Sequence, residues 1–391
     1  MLYYIVEGRM DMKKIIKYTD KPLLIISIIL FIIGLIMVFS ASNVTAYMSH
    51  AVSPYNYFIK QAIFLFVGLI LSIIMIKFNT KAYGMFSWGL LIIVTISLAF
   101  LPIIGKAQNQ AISWYDLGFI SFQPSEFIKV ITIVWLASFY EKNAKKLNGY
   151  VKSLFPLAVC GGIAFLIFIQ PDLGTTIIYA IIVACIFLAV PIKKAIKRKT
   201  IFALIGLIAF LALIIVGSGK TLLFERQLQR FDFTRPCDKL LSSGNQVCNG
   251  YIAINNGGLT GEGLGNSTQK YLYLPEPYTD FIFAIIVEEL GVITGVIIIL
   301  LYIILLYRIL LIGRNSYTNR GAVICYGVAT YIFIHIAINL MGLFGLMPMT
   351  GVPLPFMSYG GSFTICLIAA LTLVQRVSVE NGIMGNRKEA K

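Results

Sequence analysis

The segment GNSTQKYLYLPEPYTDFIFAIIVEELG, residues 265–291, changes from a polar, turn-rich sequence into an apolar helix within a few residues. Asp280 stands at this boundary, and Glu288 and Glu289 follow inside the apolar run. Charge is costly inside a bilayer, so ionisable residues there are candidates for function by default. The segment predicts a membrane helix that begins at Phe281 below an extramembrane loop, and it raises the question of why carboxylates stand at the membrane edge.

The composition of the whole chain is that of a membrane protein. Hydrophobic residues make up 58% of the 391 residues and charged residues 13%, whereas a soluble domain has about 45–50% and about 25%. A spanning helix needs roughly 20 mainly apolar residues. The sequence predicts an all-α polytopic membrane protein with ten transmembrane helices, at 22–40, 57–76, 85–104, 124–140, 152–169, 174–191, 200–217, 281–307, 321–342 and 357–375.

The distribution of basic residues predicts the orientation. Lys and Arg favour cytoplasmic loops, and with a cytoplasmic N-terminus 23 of the 32 fall on the cytoplasmic side and 8 on the outer side. The chain is therefore predicted to be one membrane domain, residues 1–391, with cytoplasmic tails 1–21 and 376–391 and a large extracellular loop, 218–280, between helices 7 and 8. The net charge of +15 then reflects topology, and scattered cations without a basic stripe argue against a nucleic-acid partner.

Three stretches interrupt the apolar pattern, and all map to the outer side: 170–176 (QPDLGTT), 345–362 (GLMPMTGVPLPFMSYGGS) and the loop 218–280. Irregular backbone at membrane depth is tolerated only where protein or a cavity surrounds it, so we expect these stretches to converge on one face. Within the loop, FERQLQRFDFTRP predicts an amphipathic helix. Cys237 and Cys248, in CDKLLSSGNQVC, either form a disulfide or remain free thiols, while the other four cysteines lie in spans and are expected to pack as small apolar groups.

Two further polar features have both a structural and a functional interpretation. Glu126 and Lys129 are three residues apart and so share a helix face; they form either an internal ion pair or part of a polar cavity. Asp172 is either the N-cap of the helix that follows it or a cavity residue. His335 is expected to be an interior histidine with satisfied partners rather than a ligand.

Asp280 also has two interpretations. Thr279 or Asp280 is suited to cap the helix that starts at Phe281. A carboxylate at a half-desolvated helix start, under a structured loop, is equally suited to act as a general base. Local sequence alone does not separate the two.

Four long motifs, in order along nearly the whole chain, resemble the signature segments of the bacterial SEDS family: FQPSEFIK, QPDLGT, GLTGEGLGNSTQKYLYLPEPYTDFIFAIIVEELG and PLPFMSYGGS. The LPEPYTDFIFA form is most similar to the division branch of that family. The resemblance implies a peptidoglycan glycosyltransferase that polymerises lipid II, an undecaprenyl-diphosphate-linked disaccharide-pentapeptide, at the outer face of the bacterial cytoplasmic membrane. It also implies a class B penicillin-binding protein, which is a transpeptidase, and divisome proteins as partners at the septum.

The resemblance assigns roles to individual residues. Asp280 matches the family's essential acid, Glu126 and Lys129 match polar cavity residues, and Trp114 matches an essential loop tryptophan, which either packs on a sugar or anchors at the membrane interface. The reaction requires a base for the attacking sugar hydroxyl and cations for the leaving diphosphate. Lys129 is one candidate cation, and the substrate-binding candidates in the loop are Arg226, Arg230, Lys270 and Glu276. A divalent cation, Mg²⁺ or Mn²⁺, is suited to the same task.

Two rival classes share the expected fold. One is a transporter that flips lipid II, favoured by helix breaks at 170–176 and 345–362; the other is a non-catalytic scaffold. The transporter is disfavoured because the irregular stretches lie on the outer side rather than at the midplane. A polymerase of the same family that serves elongation or sporulation is the nearest alternative.

Overall fold

The chain is an assembly of long helices joined by short connections. The computed structural model describes residues 12–389 except 51, 109–110, 117, 119–120, 148, 219–235, 239–243, 272 and 276. The helices are α1 Met12–Tyr18, α2 Lys21–His50, α3 Asn56–Met75, α4 Thr80–Ile104, α5 Pro124–Lys142, α6 Tyr150–Ile169, α7 Leu173–Ala189, α8 Lys194–Ser218, α9 Gly244–Gly257, α10 Ile282–Arg314, α11 Asn319–Leu343 and α12 Gly361–Glu389. Two 3-10 turns occupy Ala144–Lys146 and Pro236–Asp238.

Each of the ten predicted spans overlaps a helix, although the last, 357–375, was predicted to begin four residues before α12 starts at Gly361. Among the described residues, seven helices are long and apolar enough to cross a membrane: Lys21–Met48, Asn56–Met75, Thr80–Ile104, Tyr150–Ile169, Ile282–Arg314, Asn319–Leu343 and Gly361–Asn386. The chain is therefore a multi-pass membrane protein. That α5, α7 and α8 also cross the membrane stays a prediction.

Local sequence explains several helix boundaries. Pro124 opens α5, where its missing N–H costs nothing. The side chain of Asp172 accepts a hydrogen bond from the Thr175 amide, 3.0 Å, and so caps α7. The structural interpretation of Asp172 is therefore confirmed.

The prediction of an all-α protein is wrong between α4 and α5. Three antiparallel strands lie there: β1 Lys106–Gln108, β2 Ala111–Asp116 and β3 Ser121–Phe122, in the order β1-β2-β3. Branched and aromatic residues in β2 favour extended backbone, and the Tyr115 hydroxyl donates to the Ser97 carbonyl of α4, 2.7 Å, which holds the strand against that helix.

Helix α11 lies at the centre of the bundle, where it packs against α5, α7, α10 and α12. The apolar stretches of α11 and α12 are 67% and 78% buried, against 17% for α3. Polar side chains on α11 are therefore enclosed by protein rather than lipid, which is the condition for tolerating them at membrane depth.

The segments predicted for one side of the membrane contact one another. At one end, the Asp20 amide donates to Gln375 Oε1, 2.9 Å, and the Thr80 amide donates to Glu380 Oε1, 2.7 Å. At the other end, the Gln123 amide donates to Ser362 Oγ, 3.1 Å. The N-terminal and C-terminal helices thus share one end of the bundle, and the strands and the 345–362 stretch share the other.

Helix α10 is broken at Gly291, whose φ of 82° and ψ of 163° are not helical. The chain at 258–263 fills this break: the amides of Val292 and Ile293 donate to the carbonyls of Gly258 and Leu259, 3.0 and 3.3 Å. A Cβ on Gly291 would lie 2.2 Å from the Leu259 carbonyl oxygen, so only glycine fits. Backbone groups that the break releases are thereby paired, as buried backbone requires.

A disulfide joins Cys237 to Cys248 and fastens the 3-10 turn Pro236–Asp238 to α9. This settles the alternative left open for these two cysteines, and the other four are free thiols within helices: Cys160, Cys185, Cys325 and Cys366. Residues 219–235, which hold most of the predicted amphipathic helix, lie outside the described residues.

Candidate active site

Asp280 lies at the end of the bundle that carries the strands and the 345–362 stretch. Helix α10 begins at Ile282, with Phe281 in the N-cap position, so the predicted start at Phe281 with a Thr279 or Asp280 cap is wrong by one residue. The Thr279 hydroxyl donates instead to Asp280 Oδ1, 3.1 Å. Asp280 is half-buried, at the boundary between protein interior and exterior.

The backbone around Asp280 is fastened to two other parts of the chain. Asn339 of α11 donates from Nδ2 to the Asp280 carbonyl, 2.9 Å, and to the Val352 carbonyl, 2.8 Å. Ser358 Oγ donates to the Thr279 carbonyl and accepts from the Leu354 amide, 2.8 Å. The irregular 345–362 stretch therefore supports Asp280 through its buried residues, which include Val352, Leu354 and Ser358.

Three tyrosines pack together next to the 345–362 stretch. The ring centroids of Tyr57 and Tyr278 are 4.5 Å apart, and Tyr359 lies 5.1 Å from Tyr57 and 5.8 Å from Tyr278. The Tyr359 amide also donates to the Tyr278 carbonyl, 2.9 Å. Burial, with a smaller contribution from Tyr57, raises the pKa of Tyr359 to about 12, so its hydroxyl is uncharged at neutral pH.

Gly351 borders the carboxylate of Asp280. A Cβ built on Gly351 would lie 3.9 Å from Asp280 Oδ2, and the φ of Gly351 is +67°. The left-handed backbone favours glycine here, and it brings the chain past the carboxylate without a side chain.

Glu126 and Lys129 form a fully enclosed ion pair, Lys129 Nζ to Glu126 Oε1, 2.8 Å. His335 of α11 extends this pair, with its Nε2 3.1 Å from Lys129 Nζ and its Nδ1 2.7 Å from the Tyr331 carbonyl. His335 is thus an interior residue with partners on both ring nitrogens, as predicted. The Tyr331 hydroxyl is buried beside the Glu126 carboxylate, so the surroundings of the pair are polar as well.

Lys270 belongs to a second enclosed cluster. Its Nζ lies 2.9 Å from Glu289 Oε1 and 2.6 Å from the Gly265 carbonyl, and Ser40 Oγ lies 2.7 Å from both carboxylate oxygens of Glu289. Lys270 is 1% and Glu289 0% exposed. The Lys270 ammonium is therefore engaged in holding the loop to α10, which favours a structural role over contact with a diphosphate.

Glu288 holds the same loop by a different set of bonds. It accepts from the hydroxyls of Ser267 and Thr268 and from the amides of Thr268 and Gln269, at 2.9–3.4 Å for the Thr268 and Gln269 contacts. Asn256 of α9 donates to it at 3.3 Å. Glu288 and Glu289 thus bind the same segment, 256–270, through different residues, and this segment is called the turn 256–270 below.

The other predicted site residues are distributed as follows. Trp114 is half-buried in β2, where its backbone pairs in register with Lys106. Its neighbour Ser113 donates to Asp172 Oδ2 at 3.4 Å. Arg226, Arg230 and Glu276 lie outside the described residues.

Helix α11 contacts both the Glu126–Lys129 pair and the Asp280 region. His335, next to Lys129, and Asn339, next to Asp280, are four residues apart and so lie on one helix face. Sequence reasoning missed Asn339; the signal was an amide one turn after a histidine inside an otherwise apolar helix. Ser40 and Ser358 were also missed, because a serine without a charged neighbour in sequence does not show which distant residue it will contact.

In the described part of the chain, no three or more His, Cys, Asp or Glu side chains are grouped so that they could hold a metal ion.

These features define an integral membrane protein that is a helical bundle with a half-buried acid, Asp280, at one end. The irregular 345–362 stretch supports that acid, and the segment 256–270 is bound to the same helix, α10. The chain belongs to the FtsW/RodA/SpoVE family, because residues 21–382 match the family model described as cell cycle protein. The resemblance inferred from the four motifs is thereby confirmed.

Curated relatives and solved structures agree with this assignment. The chain is 36% identical over 387 residues to the probable peptidoglycan glycosyltransferase FtsW of Bacillus subtilis, covering 97% of this chain and 95% of that one. It is also 36% identical over 366 residues to stage V sporulation protein E of the same organism, covering 92% and 96%. A chain from a solved peptidoglycan synthase complex, described as coordinating polymerization and crosslinking, superposes with a TM-score of 0.72 at 21% identity, over 92% of this chain and 97% of that one; this likeness bears on the fold alone.

Proposed function

We propose that this protein is a peptidoglycan glycosyltransferase that polymerises lipid II at the outer face of the bacterial cytoplasmic membrane. The observation that carries the proposal is Asp280, a half-buried carboxylate at a helix start in a chain 36% identical to a relative named for this activity. The Asp280 end of the bundle is the outer end in the predicted topology, with both termini cytoplasmic. Placement at the division septum extends the same proposal.

Asp280 acts as the general base in this proposal. It takes the proton of the acceptor's GlcNAc 4-hydroxyl while that oxygen forms a bond to the anomeric carbon of the donor sugar. The bond from the anomeric carbon to the diphosphate breaks, and undecaprenyl diphosphate leaves. A positioned base contributes about 10²–10⁴-fold to such a step. The acid stands at the membrane edge because the reacting bond lies one diphosphate away from a lipid tail.

Candidates for stabilising the leaving diphosphate differ in availability. Lys129 and Lys270 are both paired with glutamates inside the protein, which weakens their case. Arg226 and Arg230, in the loop, remain candidates together with Glu276 for substrate contact, and Trp114 for contact with a sugar. Dependence on Mg²⁺ or Mn²⁺ stays a prediction, to be tested by omitting the cation.

A class B penicillin-binding protein is the proposed partner, together with other divisome proteins. The related chain of known structure comes from a complex described as coordinating polymerization with crosslinking, and crosslinking is transpeptidase chemistry. Equal identity to an FtsW and to a sporulation protein keeps a sporulation-specific polymerase as the second candidate.

The test uses the purified full chain with and without a candidate class B penicillin-binding protein. Lipid II and Mg²⁺ or Mn²⁺ are supplied, and glycan chains are resolved on a gel. We expect chains from the wild type and none from folded Asp280→Asn. Equal chains from both would retain the polymerase and remove Asp280 as its base, whereas no chains with any partner or metal would favour a lipid II flippase or a scaffold.

A further inference from the structure

Asn339 bonds both Asp280 and the 345–362 stretch. Among the contacts described for these two regions, no other side chain does so. Its Nδ2 donates to the carbonyls of Asp280 and Val352, at 2.9 and 2.8 Å, and the residue is 5% exposed. These two carbonyls come from non-helical segments far apart in sequence. We propose that Asn339 is a positioning residue that fixes Asp280 for proton transfer; the inference rests on the proposed function of Asp280.

The bond to the Asp280 carbonyl is one that helix α10 does not make. The first turn of α10 accepts at Phe281, whose carbonyl takes hydrogen bonds from the amides of Ala284 and Ile285, 3.0 and 3.4 Å. The Asp280 carbonyl precedes that turn and lies in a part-buried position, where it takes its hydrogen bond from a side chain instead. Asn339 supplies the donor from a different, enclosed helix, so the direction of the Asp280 side chain depends on α11.

Helix α11 also fixes where Asp280 lies relative to the Glu126–Lys129 pair. His335 contacts Lys129 at 3.1 Å and stands one turn before Asn339 on the same face. A helix rises 1.5 Å per residue, so the two contacts are held about 6 Å apart along a rigid axis. If the Asn339 bonds were lost, the position of Asp280 relative to the Glu126–Lys129 pair would no longer be fixed, while the ion pair itself would remain.

A purely structural role is the alternative, and Gln170 provides the matched control. It too is a buried side-chain amide, 2% exposed, that donates to a backbone carbonyl, that of Leu98, at 2.8 Å. Each of the two amides also has a buried oxygen without a hydrogen-bond partner, Gln170 Oε1 and Asn339 Oδ1. Removal of the Gln170 amide loses one donated bond and removal of the Asn339 amide loses two, but only Asn339 holds Asp280.

The experiment compares Asn339→Leu, Asn339→Asp and Gln170→Leu in the full chain with the wild type. Leucine keeps the approximate shape and removes both donated bonds; aspartate keeps the size and an acceptor but, when ionised, donates nothing. We expect both Asn339 variants to lower kcat about 10- to 100-fold, the order of loss that a small misplacement causes, with KM for lipid II unchanged. Hydrogen exchange of the amides at 278–281 and 352–359 should accelerate in both, and Gln170→Leu should change neither kcat nor that exchange.

Several outcomes overturn the inference. Wild-type kcat in Asn339→Leu, or restored kcat in Asn339→Asp, would show that the donated bonds do not position the base. An equal loss of kcat in Gln170→Leu would show a general stability effect. If Asn339→Leu does not fold, Asn339→Ser, which removes the amide without adding bulk, decides on the same two readouts.

Failure of this inference is distinguishable from failure of the proposed function. If Asp280→Asn keeps activity, the base assignment is lost, and unchanged exchange at 278–281 in Asn339→Leu would then reject the positioning as well. If Asp280→Asn is inactive while Asn339→Leu turns over normally, only the positioning role of Asn339 is lost.

Discussion

Asp280 and the two glutamates that follow it belong to one short segment but have opposite surroundings. Glu288 and Glu289 are both 0% exposed and their oxygens are surrounded by donors from the turn 256–270 and from Ser40. Asp280 is half-buried and faces a stretch where glycine replaces a side chain. A carboxylate whose oxygens are occupied by donors of the protein holds the fold together, whereas one at the protein boundary is placed to contact a substrate.

The comparison separates structural acids from a chemical one within the same motif. The glutamates hold the turn 256–270 against α10 beside the break at Gly291. The chain then continues from this turn to Asp280. Substitutions can break this division of roles, and the expected losses in the free energy of unfolding fall in a definite order.

Glu289→Ala should have the largest effect on stability. It leaves the Lys270 ammonium, 1% exposed, without its carboxylate, and breaking a buried pair in this way costs about 3–5 kcal/mol. Replacing both residues, as Lys270→Met with Glu289→Leu, should recover most of that loss because no buried charge remains. Unfolding of the purified protein in detergent measures both. If the single variant unfolds like the wild type, Lys270 is not held by Glu289.

Loss of the disulfide should come next. Replacing Cys237 and Cys248 by serine frees the short loop that leads into α9, and a disulfide of this loop size contributes about 2–4 kcal/mol. Limited proteolysis with and without reductant, beside unfolding, measures the effect. Cys185→Ser, at a free thiol, is the control. Identical digestion patterns in both conditions would count against the disulfide as a clamp on the loop.

Glu288→Gln should cost less. The amide keeps one acceptor oxygen but turns an NH₂ group toward the donors of Ser267 and Thr268, which leaves buried donors unpaired at about 1–3 kcal/mol. The turn 256–270 should exchange its amide hydrogens faster as a result. Unfolding and hydrogen exchange of the same sample test this, and unchanged exchange in the turn would show that Glu288 is not what holds it.

The sequence motifs predicted where the helices lie, but they predicted few of the contacts between the helices. Apolar runs of about 20 residues form helices in a bilayer, so every predicted span overlaps a helix. Residue type made the N-cap one of two interpretations of Asp172, and the structure shows the cap. The small sheet at 106–122 was missed because its stability comes from pairing and from α4 rather than from a long periodic pattern. Lys270 was nominated for a ligand because its charge is visible in sequence, whereas its partner Glu289 becomes a neighbour only through the fold.

Asp280→Asn should have the smallest effect on stability and so sharpens the comparison most. Asparagine keeps the size of the side chain and an oxygen that can accept from Thr279, 3.1 Å away in the wild type, so the free energy of unfolding should fall by no more than about 1 kcal/mol, the net contribution of one hydrogen bond. Asp172→Asn is the matched control, because asparagine caps α7 as well as aspartate does. Unfolding and glycan synthesis are measured on the same preparations, and Asp280→Asn alone should lose synthesis. If it unfolds as early as Glu288→Gln, Asp280 is a third structural acid, and its loss of synthesis would carry no information about a base.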